Sequence, residues 1–230
     1  MLEIIIKSIK DVFDRKILFT SLIPLIIAAI FWGIVFFIFH SQINNFFVYL
    51  ISHIPFIANA NWIKDIVEFI GGIFIYYQLL IITSTLIVGI IADRVVDRIN
   101  EKYYHLERKG FGSLIGSIGI TLKYNLIFII LFIIFLPAMF IPGINILTNI
   151  ILWMILIKEP VFYDSVAFYA TKEEYQKLKQ DKLKIFLIAF LGSLLFLVPI
   201  LGIFVYIAQL ILFTHFNLQK LKEFMVYNEN

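Results

Sequence analysis

Long apolar runs without any charge alternate with short charged segments along the chain. The first uncharged run extends over residues 17–39, and another extends over residues 69–92. Each is long enough for a helix that crosses the roughly 30 Å hydrocarbon layer of a membrane. These runs predict two transmembrane helices, at residues 17–39 and 66–92, and a charged, amphipathic pattern continues the second helix to about residue 107.

Two further uncharged stretches, residues 124–157 and 185–219, are too long for one membrane crossing each. A straight helix of either length would measure about 50 Å. Each stretch is interrupted near its middle, the first by a Pro-Gly pair at residues 142–143 and the second by residues 199–202. Proline removes a helical donor and glycine permits a tight reversal, so both stretches are predicted to form helical hairpins. Arms of about 17 residues leave two arrangements open, half-penetrating (re-entrant) hairpins and tilted complete crossings.

The segments around these apolar stretches are amphipathic or polar. Residues 1–16 place apolar side chains at helical spacing with most charges on the other side, which predicts an amphipathic helix at the membrane surface. Residues 40–65 mix polar and aromatic side chains and are interpreted as an interfacial loop. Glycines in residues 110–121 predict a turn followed by a short helix. Residues 171–184 begin with the Thr-x-x-Glu spacing of a capping box and are predicted to form a cytoplasmic helix.

The positions of the basic residues favour hairpins that return to the side from which they start. If each long stretch crossed only once, residues 158–184 with their six lysines would lie outside. If each stretch turns and returns, 18 of the 19 basic residues lie on the cytoplasmic side and Lys64 alone lies outside. This arrangement agrees with the excess of Lys and Arg that cytoplasmic segments of membrane proteins carry. The sequence therefore predicts an all-α integral membrane protein, with residues 1–230 forming a single membrane domain. It would have two transmembrane helices, two proline-broken helical hairpins, an amphipathic N-terminal helix and cytoplasmic termini.

Composition excludes several classes of protein. Hydrophobic residues make up 61% of the chain and charged residues 15%, whereas an average soluble domain is about a quarter charged. So much apolar surface is incompatible with an ordinary soluble enzyme or a nucleic-acid-binding domain. The chain has no cysteine and none of the motifs HExxH, GxSxG or GxxxxGK[ST]. We therefore expect no enzyme, no metal site and no cofactor.

The break of the first hairpin offers one physical route to a function. A helix that begins after a buried turn directs its free N–H groups and the positive end of its dipole towards the break, where an anion can bind. The candidates there are Gly143, Ile144 and Asn145, whose amide adds a donor. The second break would offer Ile203 and Phe204 in the same way. Alternatively, the Pro-Gly pair only turns the chain and Asn145 caps the returning helix.

The hydrophobic layout and three local sequences, taken in order, resemble the CysZ-type sulfate permeases, which are grouped with the etoposide-induced membrane proteins of eukaryotes. These sequences are Ile141-Pro142-Gly143-Ile144, Glu159-Pro160-Val161-Phe162-Tyr163-Asp164 and Val198-Pro199-Ile200-Leu201-Gly202. The resemblance implies an oligomeric protein of the bacterial inner membrane whose hairpins do not fully cross. It also implies sulfate uptake for cysteine synthesis. The expected partners are membrane lipids, the anion and further copies of the chain.

The resemblance carries over to two further groups of residues. Family members with this activity have a basic pair before the first span, for which Arg15-Lys16 is the nearest match, although it lies farther from the proline of that span. They also have a Pro-Phe-Asn-like element where the second span leaves the membrane, and this chain lacks it. In that region Thr83, Ser84 and Thr85 would offer hydroxyl donors to an oxyanion, or would bond to the preceding carbonyls of their own helix.

Two functions from different classes follow from these observations. The first is an inner-membrane permease or channel for a small inorganic oxyanion, sulfate foremost. The second is a non-transporting membrane scaffold or assembly factor, which the lack of buried charge and the departure at residues 83–93 favour. They differ in whether the purified protein moves an anion.

Overall fold

The computed structural model describes residues 2–52, 61–141, 143–197 and 199–228, and within these residues the chain is helical and contains no strand. The α-helices are α1 (Leu2–Val12), α2 (Arg15–Ile38), α3 (His40–Ser52), α4 (Asn61–Ile99), α5 (Leu114–Phe135), α6 (Ile144–Val166), α7 (Lys172–Lys179), α8 (Lys182–Leu194) and α9 (Pro199–Asn228). A π-helical turn, Asn100–Tyr104, extends α4, and 3₁₀ turns at Leu136–Phe140 and Leu195–Leu197 follow α5 and α8.

Four of the described helical segments are long and apolar enough to cross a membrane. They are Arg15–Ile38, Ile75–Tyr104, Leu114–Met139 and Ile144–Val166. The last two are the arms of the first predicted hairpin, and their helices α5 and α6 have 22 and 23 residues rather than about 17. Both arms are longer because α5 starts directly after Ser113, whose side chain accepts a hydrogen bond from the N–H of Gly116, and because α6 continues through Pro160. The glycines of residues 114–121 thus belong to a long helix.

The helix is interrupted in both stretches that are predicted to form hairpins, and the second interruption lies earlier than expected. In the first, Gly143 has a φ of +84° and precedes α6, while Pro142 lies outside the described residues. In the second, α9 begins at Pro199, so Gly202 is already helical and no half-helix starts after it. Proline is favoured in the first turn of a helix, where its missing N–H would have no partner. Val198 lies outside the described residues.

The connecting segments are more helical than the sequence analysis predicts. Residues 40–52 form α3 instead of a loop, and α4 already begins at Asn61. The rest of the predicted loop, residues 53–60, lies outside the described residues. The capping box is confirmed, since the Thr171 hydroxyl accepts from the N–H of Glu174 and the Glu174 carboxylate accepts from the N–H of Thr171. Helix α7 ends at Lys179, before the predicted limit.

The chain divides into two compact units. The larger, residues 1–22 and 85–230, has α6 and α9 at its centre, with α5 and α8 packed on α6. Its fully buried side chains include Leu156, Phe162 and Phe213. In the smaller, residues 23–84, the indole N–H of Trp32 donates to the Thr83 hydroxyl at 2.8 Å.

Helix α1 packs one mixed face against the protein. Ile4, Ser8 and Asp11 are buried, and α1 contacts α9. The opposite face exposes the large apolar side chains Ile5, Ile6 and Ile9 by 42–54%, and Phe13, directly after α1, is exposed by 72%. This apolar face matches an amphipathic helix at a membrane surface. Asp11, expected among the solvated charges, lies inside the protein.

Candidate functional site

The break of the first hairpin presents the start of α6. Gly143 and Ile144 are exposed, and Gly143 occupies the N-cap position without a side chain that could cap the helix. Its positive φ is a conformation that glycine adopts at no steric cost. The N–H of Asn145 donates to the Ile141 carbonyl at 3.0 Å, so this donor is already used within the turn. An anion here would therefore depend on the remaining N–H groups and on side chains.

The Asn145 side chain does not cap α6. Its amide oxygen is buried and has no hydrogen-bond partner among the described residues. One turn later, the Asn149 amide donates to the Asn145 carbonyl at 2.9 Å and lies 3.3 Å from the sulfur of Met139. Two amide side chains thus follow the break on one face of α6, and the expected alternative of an Asn145 cap is wrong.

The structure separates the three predicted hydroxyls of α4. Thr83 accepts the Trp32 N–H and belongs to the smaller unit with Ser84, whose hydroxyl is buried without a partner among the described residues. Thr85 belongs to the larger unit and donates to the Asn125 amide oxygen of α5 at 3.3 Å. Thr83 and Thr85 each bond a side chain of another helix.

Arg15 and Lys16 are exposed at the start of α2. The first N–H groups of that helix are already occupied, because an Asp14 carboxylate oxygen accepts from Lys16 at 3.0 Å and from Ile17 at 3.4 Å. The other Asp14 oxygen accepts from the Arg98 guanidinium at 3.1 Å. This guanidinium and the two N–H groups hold the pKa of Asp14 below its usual value. An anion at this position would therefore contact the side chains of Arg15 and Lys16 and not these two N–H groups.

A buried row of polar groups, which we call the α4–α5 seam, joins α4 to α5 in the larger unit. It consists of Thr85 and the Gly89 carbonyl on α4 and of Ser117, Thr121 and Asn125 on α5. The Ser117 hydroxyl lies 2.9 Å from the Gly89 carbonyl oxygen, and the Asn125 amide donates to the Thr121 carbonyl at 2.8 Å. A Cβ at Gly89 would stand 3.1 Å from the Thr121 hydroxyl, so the two helices approach closely there.

Asp164 of α6 closes one end of this seam. It is 1% exposed, and one of its carboxylate oxygens lies 2.5 Å from the Ser117 hydroxyl. The other oxygen lies 3.5 Å from the Tyr206 hydroxyl of α9. The burial of Asp164 is not predicted from the sequence, which places residues 158–184 on the cytoplasmic side when both hairpins return. The available signal was a single acid in the otherwise uncharged residues 160–170.

A second buried cluster links α1 to α9. Both oxygens of Asp11 are used, one by His215 Nε2 at 2.9 Å and the other by Lys102 Nζ at 2.6 Å and the Tyr103 hydroxyl at 3.1 Å. The Tyr104 hydroxyl lies 2.9 Å from His215 Nδ1. Every polar atom of this carboxylate and imidazole is bonded, so the cluster fixes α1 and offers no open site for a ligand.

Within the larger unit, the predicted residues at the start of α6 lie far from the seam and from Asp164. Asn145 and Asp164 lie at opposite ends of α6, about 28 Å apart at 1.5 Å per residue. Thr85 alone of the predicted residues joins the seam that leads to Asp164. No group of three His, Asp or Glu side chains in the described part of the chain could hold a metal ion.

The family comparison covers all of these residues except His215 of α9. The sequence model of the EI24 family, described as "Sulfate transporter CysZ/Etoposide-induced protein 2.4", matches residues 4–206. Comparisons with curated proteins and with solved structures gave no match. The matched range includes Arg15, Asn145, the seam and Asp164, and it ends before His215.

Proposed function

Because the chain belongs to the family of the sulfate transporter CysZ and etoposide-induced protein 2.4, we propose that it is a permease for a small inorganic oxyanion, with sulfate as the first substrate to test. The family match over residues 4–206 is the observation that carries this proposal. The chain is a multi-pass membrane protein, since it combines this match with several apolar helices. Sulfate brought in by such a permease would supply cysteine synthesis.

We further propose that the protein lies in the bacterial inner membrane with both termini in the cytoplasm. The basic residues support this orientation, because Lys64 is the only one outside when both hairpins return. Helices α2 and α5 leave most of their apolar surface uncovered, including Phe37 and Ile115 with more than four fifths exposed. Lipid and further copies of this chain would cover these faces, which fits a homo-oligomer.

The lengths of the helices suggest different depths for the two hairpins. Helices α5 and α6 would each measure about 33–35 Å, which matches the thickness of the hydrocarbon layer. Helix α8 would measure only about 20 Å, too short for a complete crossing. We therefore propose that the first hairpin reaches the outer side and that the second is half-penetrating. The break at Gly143 would then meet the anion from outside.

The path of the anion through the protein would be lined by neutral hydrogen-bond donors and by helix ends. At the outer side, the start of α6 and the Asn145 amide would attract the anion without a buried cation. The α4–α5 seam would offer hydroxyl and amide donors within the membrane once their present hydrogen bonds to one another open. At the side of Arg98 and Asp14, the exposed Arg15 and Lys16 would raise the local anion concentration. We infer no catalytic step and no cofactor from these groups.

The test is uptake of labelled sulfate by cells that lack their own sulfate importers and express this protein. We expect saturable uptake that thiosulfate inhibits, and loss of uptake in Asn145→Leu at normal expression. Thr148→Val is the matched control and should transport normally, because among the described residues the Thr148 hydroxyl bonds only the Ile144 carbonyl of its own helix. Absence of uptake by well-expressed protein, together with no flux in proteoliposomes, would reject the permease in favour of the scaffold.

A further inference from the structure

One side of α1 is not covered by the described part of the chain. Ile5, Ile6 and Ile9 are exposed there by 42–54%, and Phe13, directly after α1, is exposed by 72%. The opposite side carries the buried Asp11, and α1 contacts α9. A helix that is held on one side and apolar on the other is typical of a helix that lies in a membrane surface.

The acidic side chains of residues 1–16 are all paired or withdrawn into the protein. Both oxygens of Asp11 are bonded inside the protein. The Asp14 carboxylate accepts from the Arg98 guanidinium and from two backbone N–H groups. Glu3 is exposed, but its carboxylate lies 2.7 Å from the ammonium group of Lys7. The negative charges of this segment are thus compensated within the protein.

The basic side chains beside the apolar side of α1 are not compensated in this way. Lys10, Arg15 and Lys16 are exposed, and none of them forms an ion pair with a described residue. Lys10 lies one turn after Ile6, and residues four apart are neighbours on a helix surface. Arg15 is two residues after Phe13, so their Cα atoms are at most about 7 Å apart. The uncovered side of α1 is therefore apolar with positive charge at its edge.

The start of α2 indicates the depth of this surface in the membrane. Helix α2 is long and apolar enough to cross, and Arg15 and Lys16 at its start are its only charged residues. Basic side chains at the end of a spanning helix reach the level of the lipid headgroups. Helix α1 ends at Val12, just before α2. Its apolar side therefore lies where headgroups and acyl chains meet.

We propose that α1, Phe13 and the basic residues Lys10, Arg15 and Lys16 form a binding surface for anionic phospholipids. Acyl chains cover the isoleucines and Phe13, and the three cations contact headgroup phosphates. Any lipid could cover the apolar side, so the uncompensated positive charge is what selects anionic headgroups. Because α1 is already fastened through Asp11, lipid binding does not have to order this helix. This inference does not depend on the permease function.

The lipid next to α1 can be identified by fluorescence quenching, because the natural chain has no cysteine and accepts a single label. The full-length Ile9→Cys protein carries a fluorophore on the exposed side of α1 and is placed in nanodiscs of phosphatidylcholine and phosphatidylglycerol. One of the two lipids is brominated in each sample, so quenching reports which lipid contacts the label. We expect phosphatidylglycerol to be enriched by about fivefold for each basic residue that it contacts. A label at Ile133→Cys, on an exposed part of α5, should report the bulk composition.

Charge variants separate the effect of the basic residues from that of the apolar side. Combining Lys10→Gln, Arg15→Gln and Lys16→Gln should reduce the enrichment at Ile9→Cys to the bulk level. Quenching by the two lipids together should remain, because the apolar side is unchanged. The matched control removes the same charge from three exposed lysines elsewhere, Lys172→Gln, Lys177→Gln and Lys182→Gln. It should keep the enrichment, and an equal loss in both triple variants would overturn the proposal.

Other occupants of this surface would give different results. If a second copy of the chain covers α1, neither brominated lipid would quench the label at Ile9→Cys. If Arg15 and Lys16 hold a free oxyanion instead of headgroups, sodium sulfate would lower the enrichment more than sodium chloride of the same ionic strength. Either result would overturn the proposal, as would quenching at Ile9→Cys in proportion to the bulk composition. No outcome involves sulfate transport, so the permease function is decided separately.

Discussion

His215 Nε2 lies 2.9 Å from Asp11 Oδ2, and this contact joins residues 204 positions apart in the chain. Both side chains are fully buried, and the pair fastens the amphipathic helix α1 to the last helix, α9. Lys102 and Tyr103 share the other Asp11 oxygen. The start of the chain is thus held through Asp11, while Ile5, Ile6 and Ile9 stay exposed and are available to contact lipid.

Removing the Asp11 carboxylate should destabilise the protein and release α1. Asp11→Ala leaves the His215 ring nitrogen and the Tyr103 hydroxyl without their acceptor, at a cost of about 3 kcal/mol. We expect a lower midpoint of thermal unfolding in detergent and faster proteolysis near the N-terminus. Lys10→Ala is the control, because its side chain is exposed on the same helix and should change stability by less than about 0.5 kcal/mol. Equal unfolding midpoints for the two variants would contradict this role of Asp11.

Gly110 packs where no larger residue fits. Its N–H donates to the Phe168 carbonyl at 2.9 Å, and a Cβ at this position would overlap the carbonyl oxygen of Ala167. Gly110→Ala should therefore destabilise the protein by about 3 kcal/mol, measured as a loss of thermal stability in detergent. Gly119→Ala is the matched control. It adds the same methyl group inside α5, where nothing lies within 4 Å, and should stabilise the helix by about 0.5–1 kcal/mol. A similar loss in both variants would argue against the close packing at Gly110.

The features that the sequence predicts correctly depend on neighbouring residues. Uncharged run lengths indicate the helical membrane class, a Pro-Gly pair indicates the first break, and Thr171 with Glu174 indicates the capping box. Each of these features depends only on residues that are close together in the sequence. Arm length was underestimated because charge was taken as the end of a helix, whereas α6 continues past Lys158 and Glu159 to Val166.

The sites that the sequence does not predict depend on distant partners. Asp11 has the spacing of a solvated residue on an amphipathic helix, and only its contact with His215 shows that it is buried. Asp164 follows two charged residues and so resembles the start of a cytoplasmic segment. Its burial results from Ser117 and Tyr206, which lie on helices far away in sequence. The sequence identifies Thr85 as a polar residue of an apolar helix, but it does not show that Asn125 of α5 is its hydrogen-bond partner.

Stability should decrease at alkaline pH because two tyrosines outside the spans are buried. Burial raises the pKa of Tyr169 and of Tyr175, and the hydrogen bond from Tyr169 to Asp97 adds to the effect. In the unfolded chain both hydroxyls have the usual tyrosine pKa of about 10 and lose their protons near that pH. The folded protein retains these protons to a higher pH than the unfolded chain does. The contribution of the two tyrosines to the free energy of unfolding is therefore complete below about pH 10 and is lost as the pH rises towards their pKa in the folded state.

The measurement is the midpoint of thermal unfolding between about pH 8 and about pH 11. We expect the decrease with pH to be shallower in Tyr175→Phe, which keeps the ring in place and should resemble wild type at neutral pH. Tyr169→Phe should also be shallower, but less stable at neutral pH because it loses the bond to Asp97. Slopes identical to wild type in both variants would exclude this contribution of the tyrosines.

The depth of each hairpin can be measured with single cysteines, because the natural chain has none. Ile144 and Leu197 are suitable positions, since both side chains are exposed, by 46% and 44%. In intact cells, a membrane-impermeant maleimide should label Ile144→Cys from outside, because α5 and α6 are long enough to carry the break across. Leu197→Cys should resist the reagent, because α8 has only 13 residues. Glu173→Cys, exposed on α7, should react only after permeabilisation. Protection of Ile144→Cys would make the first hairpin half-penetrating as well, and external labelling of Leu197→Cys would show that the second hairpin crosses.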